Sequence, residues 1–170
     1  MEKSQTVDSF RFLDGVTKKL VQNWIGLERP RAIPWTPLDK PLAQSRVALI
    51  SSAGLALKTD QPFDQEGERQ NPWWGDPSFR ILPVTATAAD VALYHLHIHP
   101  RVIAGDINTL FPLERLRTLE AQGEIGSAAA KHYSYMGYIL QPGALLGEST
   151  PDIIRHLEAD GVDLVLLVPG

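Results

Sequence analysis

Apolar residues near the start of the chain recur every three or four positions. Leu13, Val16, Leu20, Trp24 and Leu27 fall on one face at that spacing, which predicts an amphipathic helix over 8–27 with Asp8 as its N-cap. The pattern then breaks. The stretch "ERPRAIPWTPLDKPL" (28–42) carries four prolines and reads as an extended connector, with Ile33 and Trp35 pinning it to the main domain. From "RVALISSAGL" (46–55) onward the apolar runs shorten and become β-branched, as in buried parallel strands covered on both faces. "FRILPV" (79–84) and "VALYHLHI" (91–98) are strand-like. "VDLVLLV" (162–168) is the run most expected to be a buried strand. Two helices alternate with these runs. In "LFPLERLRTLEAQGEIG", Leu113, Leu116 and Leu119 share a broad face, Pro112 suits the first turn and Gly123 a stop. In "STPDIIRHLEADG" (149–161), Thr150 is the expected N-cap, Pro151 follows it, Asp152 lies in the first turn and Gly161 is past the end.

This alternation predicts an α/β fold. We expect three layers, with a mostly parallel central sheet flanked by helices, Rossmann- or flavodoxin-like in layering. One domain is expected over 1–170: an N-terminal helix (1–27), a Pro-rich connector (28–42) and an α/β core (43–170). Residues 56–79 are polar and read as a long irregular loop, a length that is uncommon without a function. Trp73 and Trp74 within it suit a lid, an interface, or a loop that tucks in its own aromatics.

Composition narrows the function. The 170 residues carry a formal net charge of −4 with a pI near 5.7, which argues against nucleic acid as a partner. No apolar run approaches the ~20 residues of a membrane span, and the polar "MEKSQTVDSF" has no signal-peptide core. A cytoplasmic location is expected. There is no cysteine, so no disulfide, thiolate–metal site or thiol redox chemistry can come from these residues.

Chemistry is most concentrated in "HLHIHPRVIAGDIN". On a strand, His95, His97 and His99 project to one face, where imidazoles can hold a metal, line an active-site cleft or make structural hydrogen bonds. Asp106 and Asn108 cap helices and turns, or hold an amino group or orient a thiol beside a cleft. Glu114 and Arg115 read as a solvated helix face. Ser51 and Ser52, in the tight loop after the first strand, offer hydroxyls and N–H groups to an anion. His132, Tyr133 and Tyr135 follow in "KHYSYMG". No G-x-G-x-x-G or P-loop spacing indicates a nucleotide, and no G-x-S-x-G elbow indicates a serine hydrolase.

Several blocks occur in one order: "RVALISSAGL" with a following "QPF", then "GDPSFRILP", "DINTLFPLERL" with "GEIG", "HYSYMG" and "DGVDLVLLVPG". Over residues 33–170 they resemble the selenoprotein B family of glycine, sarcosine and betaine reductases and D-proline reductase. The resemblance implies reductive cleavage of a C–N or comparable bond by a selenocysteine or cysteine. It further implies a second cysteine that resolves the oxidised intermediate and a thiol or thioredoxin-like electron donor. The redox pair, [Sec/Cys]-x-x-Cys, is expected directly after Gly170. The chain then reads as a family member cut short at a UGA codon, inactive as written, with selenocysteine in a full-length form. Under this reading Ser51, Ser52, His95, His97, Asp106, Asn108 and His132 are the substrate-binding candidates. The resemblance carries no metal role, which weakens His95, His97 and His99 as a metal site. Alternatives are a metal-binding protein built on those histidines, or a non-catalytic assembly module contacting partners through Trp73 and Trp74. Exposed aromatics and a bare sheet edge suit a homo-oligomer.

Overall fold

The structure, a computed structural model, describes residues 13–27, 32, 36–71 and 73–170. Asp8, Ile33, Trp35 and the side chain of Trp24 lie outside the described residues. Two compact units divide the chain between Pro37 and Leu38.

In the first unit, α1 spans Gly15–Leu27. It begins at Gly15 and is capped by Asp14: Asp14 Oδ1 accepts hydrogen bonds from the backbone N–H groups of Val16 (2.9 Å) and Thr17 (3.0 Å), satisfying donors that a helix start leaves unpaired.

The second unit is built on a mixed, mostly parallel sheet flanked by helices, as the alternation of elements predicts. Its central strand is β1 (Arg46–Ser51). In chain order there follow β2 (Leu55–Leu57), α2 (Gln65–Gln70), β3 (Phe79–Pro83), β4 (Val91–Leu93), α3 (Arg101–Gly105), α4 (Leu113–Ala121), β5 (Ser127–Ala128), β6 (Lys131–Tyr135), α5 (Thr150–Ala159) and β7 (Leu164–Val168). β5 and β6 succeed one another along one side of β1, both parallel to it, with Arg46 opposite Ser127 and Ile50 opposite Tyr133. β7 lies parallel on the other side, from Val47–Leu164 to Ser51–Val168. β3 closes the far edge, antiparallel to β6. β2 and β4 form a separate antiparallel pair.

Alternation along the strands sends side chains to two faces. On one, Val47 and Leu49 pack with Phe111, Leu113, Leu116 and Ile125, so α4 and the turn before it cover that side. On the other, Tyr133 and Phe79 meet the edge of the His156 ring on α5, each at 6.1 Å between centroids. Burying aliphatic side chains of this size contributes on the order of 2 kcal/mol each, and the core on the α4 face is the larger.

Four expectations need correction. The span 91–98 is not one strand: pairing stops at Leu93, and residues 96–98 form a turn. His95, His97 and His99 therefore do not share a strand face. Residues 56–79 are not wholly irregular, since β2 ends at Leu57 and α2 occupies Gln65–Gln70. Thr150 is the first residue of α5 and not its cap, because a π-turn over Leu145–Ser149 runs straight into that helix. Finally, "VDLVLLV" is not buried. Among the described residues β7 pairs with β1 alone, and Leu164, Leu166 and Leu167 are 38%, 47% and 70% exposed. Apolar content makes a good strand, but burial needs neighbours on its other edge and on both faces.

Candidate functional site

β1, β6 and β7 are parallel, so their carboxyl ends lie side by side, the place where open α/β sheets bind ligands. The segments leaving these strands are laced together. Ser52 N donates to Val168 O (3.1 Å), Gly137 N to Ser52 O (2.7 Å) and Gly54 N to Tyr135 O (2.9 Å). The Ser52 hydroxyl accepts from Gly170 N at 2.9 Å. Gly54 has φ +62°, a conformation that favours glycine, and a β-carbon there would also fall 2.5 Å from Met136 Sδ and 3.2 Å from His95 N.

His95 lies against this platform. A β-carbon on Gly137 would stand 2.8 Å from His95 Nε2, which measures how closely the ring approaches the backbone. His95 is buried, and its Nδ1 accepts from His97 N at 3.2 Å. Burial, and then the neighbouring His97, hold its pKa below the usual imidazole value, because a desolvated cation is disfavoured.

His97 continues the line outward. Its ring centroid is 5.7 Å from that of His95 and 4.4 Å from that of Tyr138. Its side chain is half-exposed, and its Nε2 stands 3.3 Å from Glu68 Oε1. Glu68 is the unusual member. Its side chain is only 3% exposed, yet neither carboxylate oxygen has an aligned hydrogen bond. Burial raises its pKa, partly offset by His97. α2 carries it inward: Asp64 caps that helix through Gly67 N (2.9 Å), and Trp74 packs over Gly67. Tyr138 has φ +57°, a left-handed conformation that costs a non-glycine residue about 1 kcal/mol and is characteristic of functional loops.

The other sequence candidates sit elsewhere. Ser51 is buried and internally satisfied, its hydroxyl donating to Leu110 O (2.7 Å) and accepting from Ala53 N (3.2 Å). His132 is in the core, where Nδ1 accepts from Leu49 N at 3.0 Å and Phe111 meets the ring edge-on. Desolvation, with a smaller contribution from Arg117, lowers its pKa to about 4. Asp106 accepts from Asn108 N (2.9 Å) and Nδ2 (2.7 Å), while Asn108 Nδ2 also reaches Glu114 Oε2 (3.0 Å) and Arg115 stands 3.9 Å from Asp106. This set closes the turn ahead of α4, and the N–H groups of Asn108 hold the Asp106 pKa low. His99 turns back on its own chain, accepting from Arg101 N.

The structure thus brings Ser52, His95 and His97 to one strand-end platform. Among the described residues, no group of three or more His, Cys, Asp or Glu is placed to hold a metal ion, so the H-x-H-x-H spacing does not become a ligand set. Trp74 is partly buried against α2, whereas Trp73 is 63% exposed. Sequence reasoning missed Glu68 and Tyr138. Nothing in "DQEGERQ" separates Glu68 from the solvated Glu66, and the Tyr138 backbone conformation has no local signature. A depression lined by Leu57, Lys58, Thr85 and Asp90 lies at the opposite end of the sheet and includes none of these groups. No helix among the described residues is long and apolar enough to cross a membrane.

No protein-family model matches the chain, and no solved structure matches it. Two curated proteins do. The D-proline reductase subunit gamma of Acetoanaerobium sticklandii is 35% identical over 136 residues, which are 80% of this chain and 53% of that protein. The glycine reductase complex component B subunit gamma of Carboxydothermus hydrogenoformans is 26% identical over 137 residues, 79% of this chain and 30% of that protein. The chain therefore spans about half of the first relative and under a third of the second. The motif order and these two relatives agree: the chain belongs to the selenoprotein B family of glycine and D-proline reductases.

Proposed function

We propose that this chain is the scaffold and cleft wall of a reductase that cleaves a C–N or comparable bond in a small amine substrate such as D-proline or glycine. The observation that carries the reading is the 35% identity to a D-proline reductase subunit over most of the chain. The platform of Ser52, Gly137 and Gly170 supports it, because it gathers backbone and polar groups where an α/β sheet presents its ligand. The bond-breaking nucleophile is a selenolate or thiolate. With no cysteine among the 170 residues, it comes from a selenocysteine or cysteine outside them. Electrons are supplied by a thiol or a thioredoxin-like protein, and other subunits are the natural partners, since both relatives are named as subunits.

One measurement tests this. The 170-residue chain, given dithiol and D-proline, glycine or glycine betaine, should show no turnover above buffer, and reduction of any of the three would overturn the assignment of the nucleophile.

A further inference from the structure

Glu68 presents an energetic problem that the fold does not resolve. A buried carboxylate without aligned donors costs on the order of several kcal/mol, and this one has both oxygens unsatisfied. Arg69, its chain neighbour, pairs with Glu66 at 3.9 Å. Among the described residues, the basic group within ion-pair reach of it is His97 Nε2, at 3.3 Å. His97 is in turn met by the tilted ring of Tyr138 (57° between planes) and followed inward by His95, which lies on the Gly137 platform. A buried acid behind a half-exposed imidazole is the arrangement by which a carboxylate fixes which ring nitrogen faces outward.

We propose that Glu68 is a positioning residue that holds His97 with Nε2–H toward its carboxylate, leaving His97 Nδ1 as the outward acceptor for an N–H of a small primary or secondary amine. This deepens, and rests on, the reading of the chain as part of an amine-cleaving reductase. Three observations converge on it. Nε2, not Nδ1, is the nitrogen beside Glu68. Among the described residues, no hydrogen bond to His97 Nδ1 is found. The Tyr138 ring is held against the imidazole despite an unfavourable backbone, which restricts the ring to few orientations. A ligand that carries N–H therefore finds an acceptor aimed at it, whereas a quaternary ammonium offers that acceptor nothing.

The test uses the 170-residue chain and two probes, D-proline, which bears N–H, and glycine betaine, which does not. Nitrogen-15 spectra of the imidazoles report the tautomer, and titration reports binding. In the wild type, His97 should be held as the Nε2–H tautomer, D-proline should shift the Nδ1 signal, and betaine should not. In Glu68→Ala the tautomer should become mixed and D-proline affinity should fall about tenfold, the worth of one well-aligned hydrogen bond. Glu68→Gln keeps an acceptor oxygen and should restore the tautomer. The buried His132 signal serves as the check that each variant is folded. A His97 tautomer unchanged by Glu68→Ala, with D-proline still bound, would overturn the pairing and leave the reductase reading intact. A Glu68-dependent tautomer with no response to D-proline would overturn the acceptor role and count against the amine substrate as well. Equal His97 shifts from betaine and D-proline would overturn recognition through N–H.

Discussion

Gly126→Ala is expected to lower stability by about 3 kcal/mol or more, within the upper range for overpacked sites. A β-carbon there would lie 2.5 Å from Gln44 C, 2.8 Å from Gln44 O and 2.8 Å from Ser45 N. All three are backbone atoms, so no side chain can swing aside. The same glycine seats β5 on β1: its N–H is shared between Leu42 O (3.1 Å) and Ser45 O (3.0 Å), and Ser127 N follows onto Ser45 O (3.2 Å). Any shift that makes room weakens the first contacts of the central strand. Against a typical total of 5–15 kcal/mol, thermal unfolding should move down by roughly 10 °C. Gly123→Ala is the control. That site has φ +71° but nothing within 4 Å, so only backbone strain of about 1 kcal/mol is at stake. Equal melting temperatures for the two variants would show that the approach of residues 44 and 126 is looser than described.

The second large effect is the loss of stability in mild acid. His132 is fully buried, with Nδ1 committed to Leu49 N and Nε2 without a partner. Its pKa falls from 6.5 to about 4. Between those values the unfolded chain binds a proton that the folded chain does not, so stability rises with pH. The contribution is complete above pH 6.5 and is lost as pH falls to about 4, amounting to roughly 3 kcal/mol. His95 acts in the same direction. Glu68 acts oppositely, because its raised pKa favours the folded state at low pH and penalises it as pH rises above 4.5. Urea titrations of His132→Leu and the wild type at several pH values isolate the His132 share. The variant should lose about 1–3 kcal/mol at neutral pH, where the Leu49 N–H is left unpaired, but show a shallower fall between pH 6.5 and 4. Parallel pH profiles would exclude His132 as the source.

The parts of this fold that are local in origin were legible from the residue pattern. Alternating apolar runs and helical spacing place β1, β3, α4, α5 and β7 within a few residues, and Gly123 and Gly161, at φ +71° and +63°, terminate the two helices as expected. Features set by distant contacts were not. His-x-His-x-His imitates a strand, but the chain leaves β4 after Leu93, where Tyr94 N donates to Gly54 O, and the histidines end up on a turn. Leucine content identifies β7 as a strand without revealing how many neighbours it has. The site was half visible for the same reason. Ser52, His95 and His97 stood out by type and spacing, whereas Glu68 matters only because α2 turns it inward.

The side of β7 away from β1 bears on how the chain behaves in concentrated solution. Leu164–Val168 is an uncharged run of leucine and valine whose second edge has no strand partner among the described residues, the composition from which cross-β stacks grow. What restrains it are the residues at its two ends. Asp163 is fixed by Lys40 (2.7 Å) and by Arg46 N (2.7 Å), placing a charge at the entrance of the strand, and Pro169 denies the ladder a donor at the exit. These two residues act as gatekeepers. Exchanging Asp163 for a neutral residue removes one of them together with the tie to Lys40, and light scattering on the purified chain would register the change as faster aggregation at equal concentration.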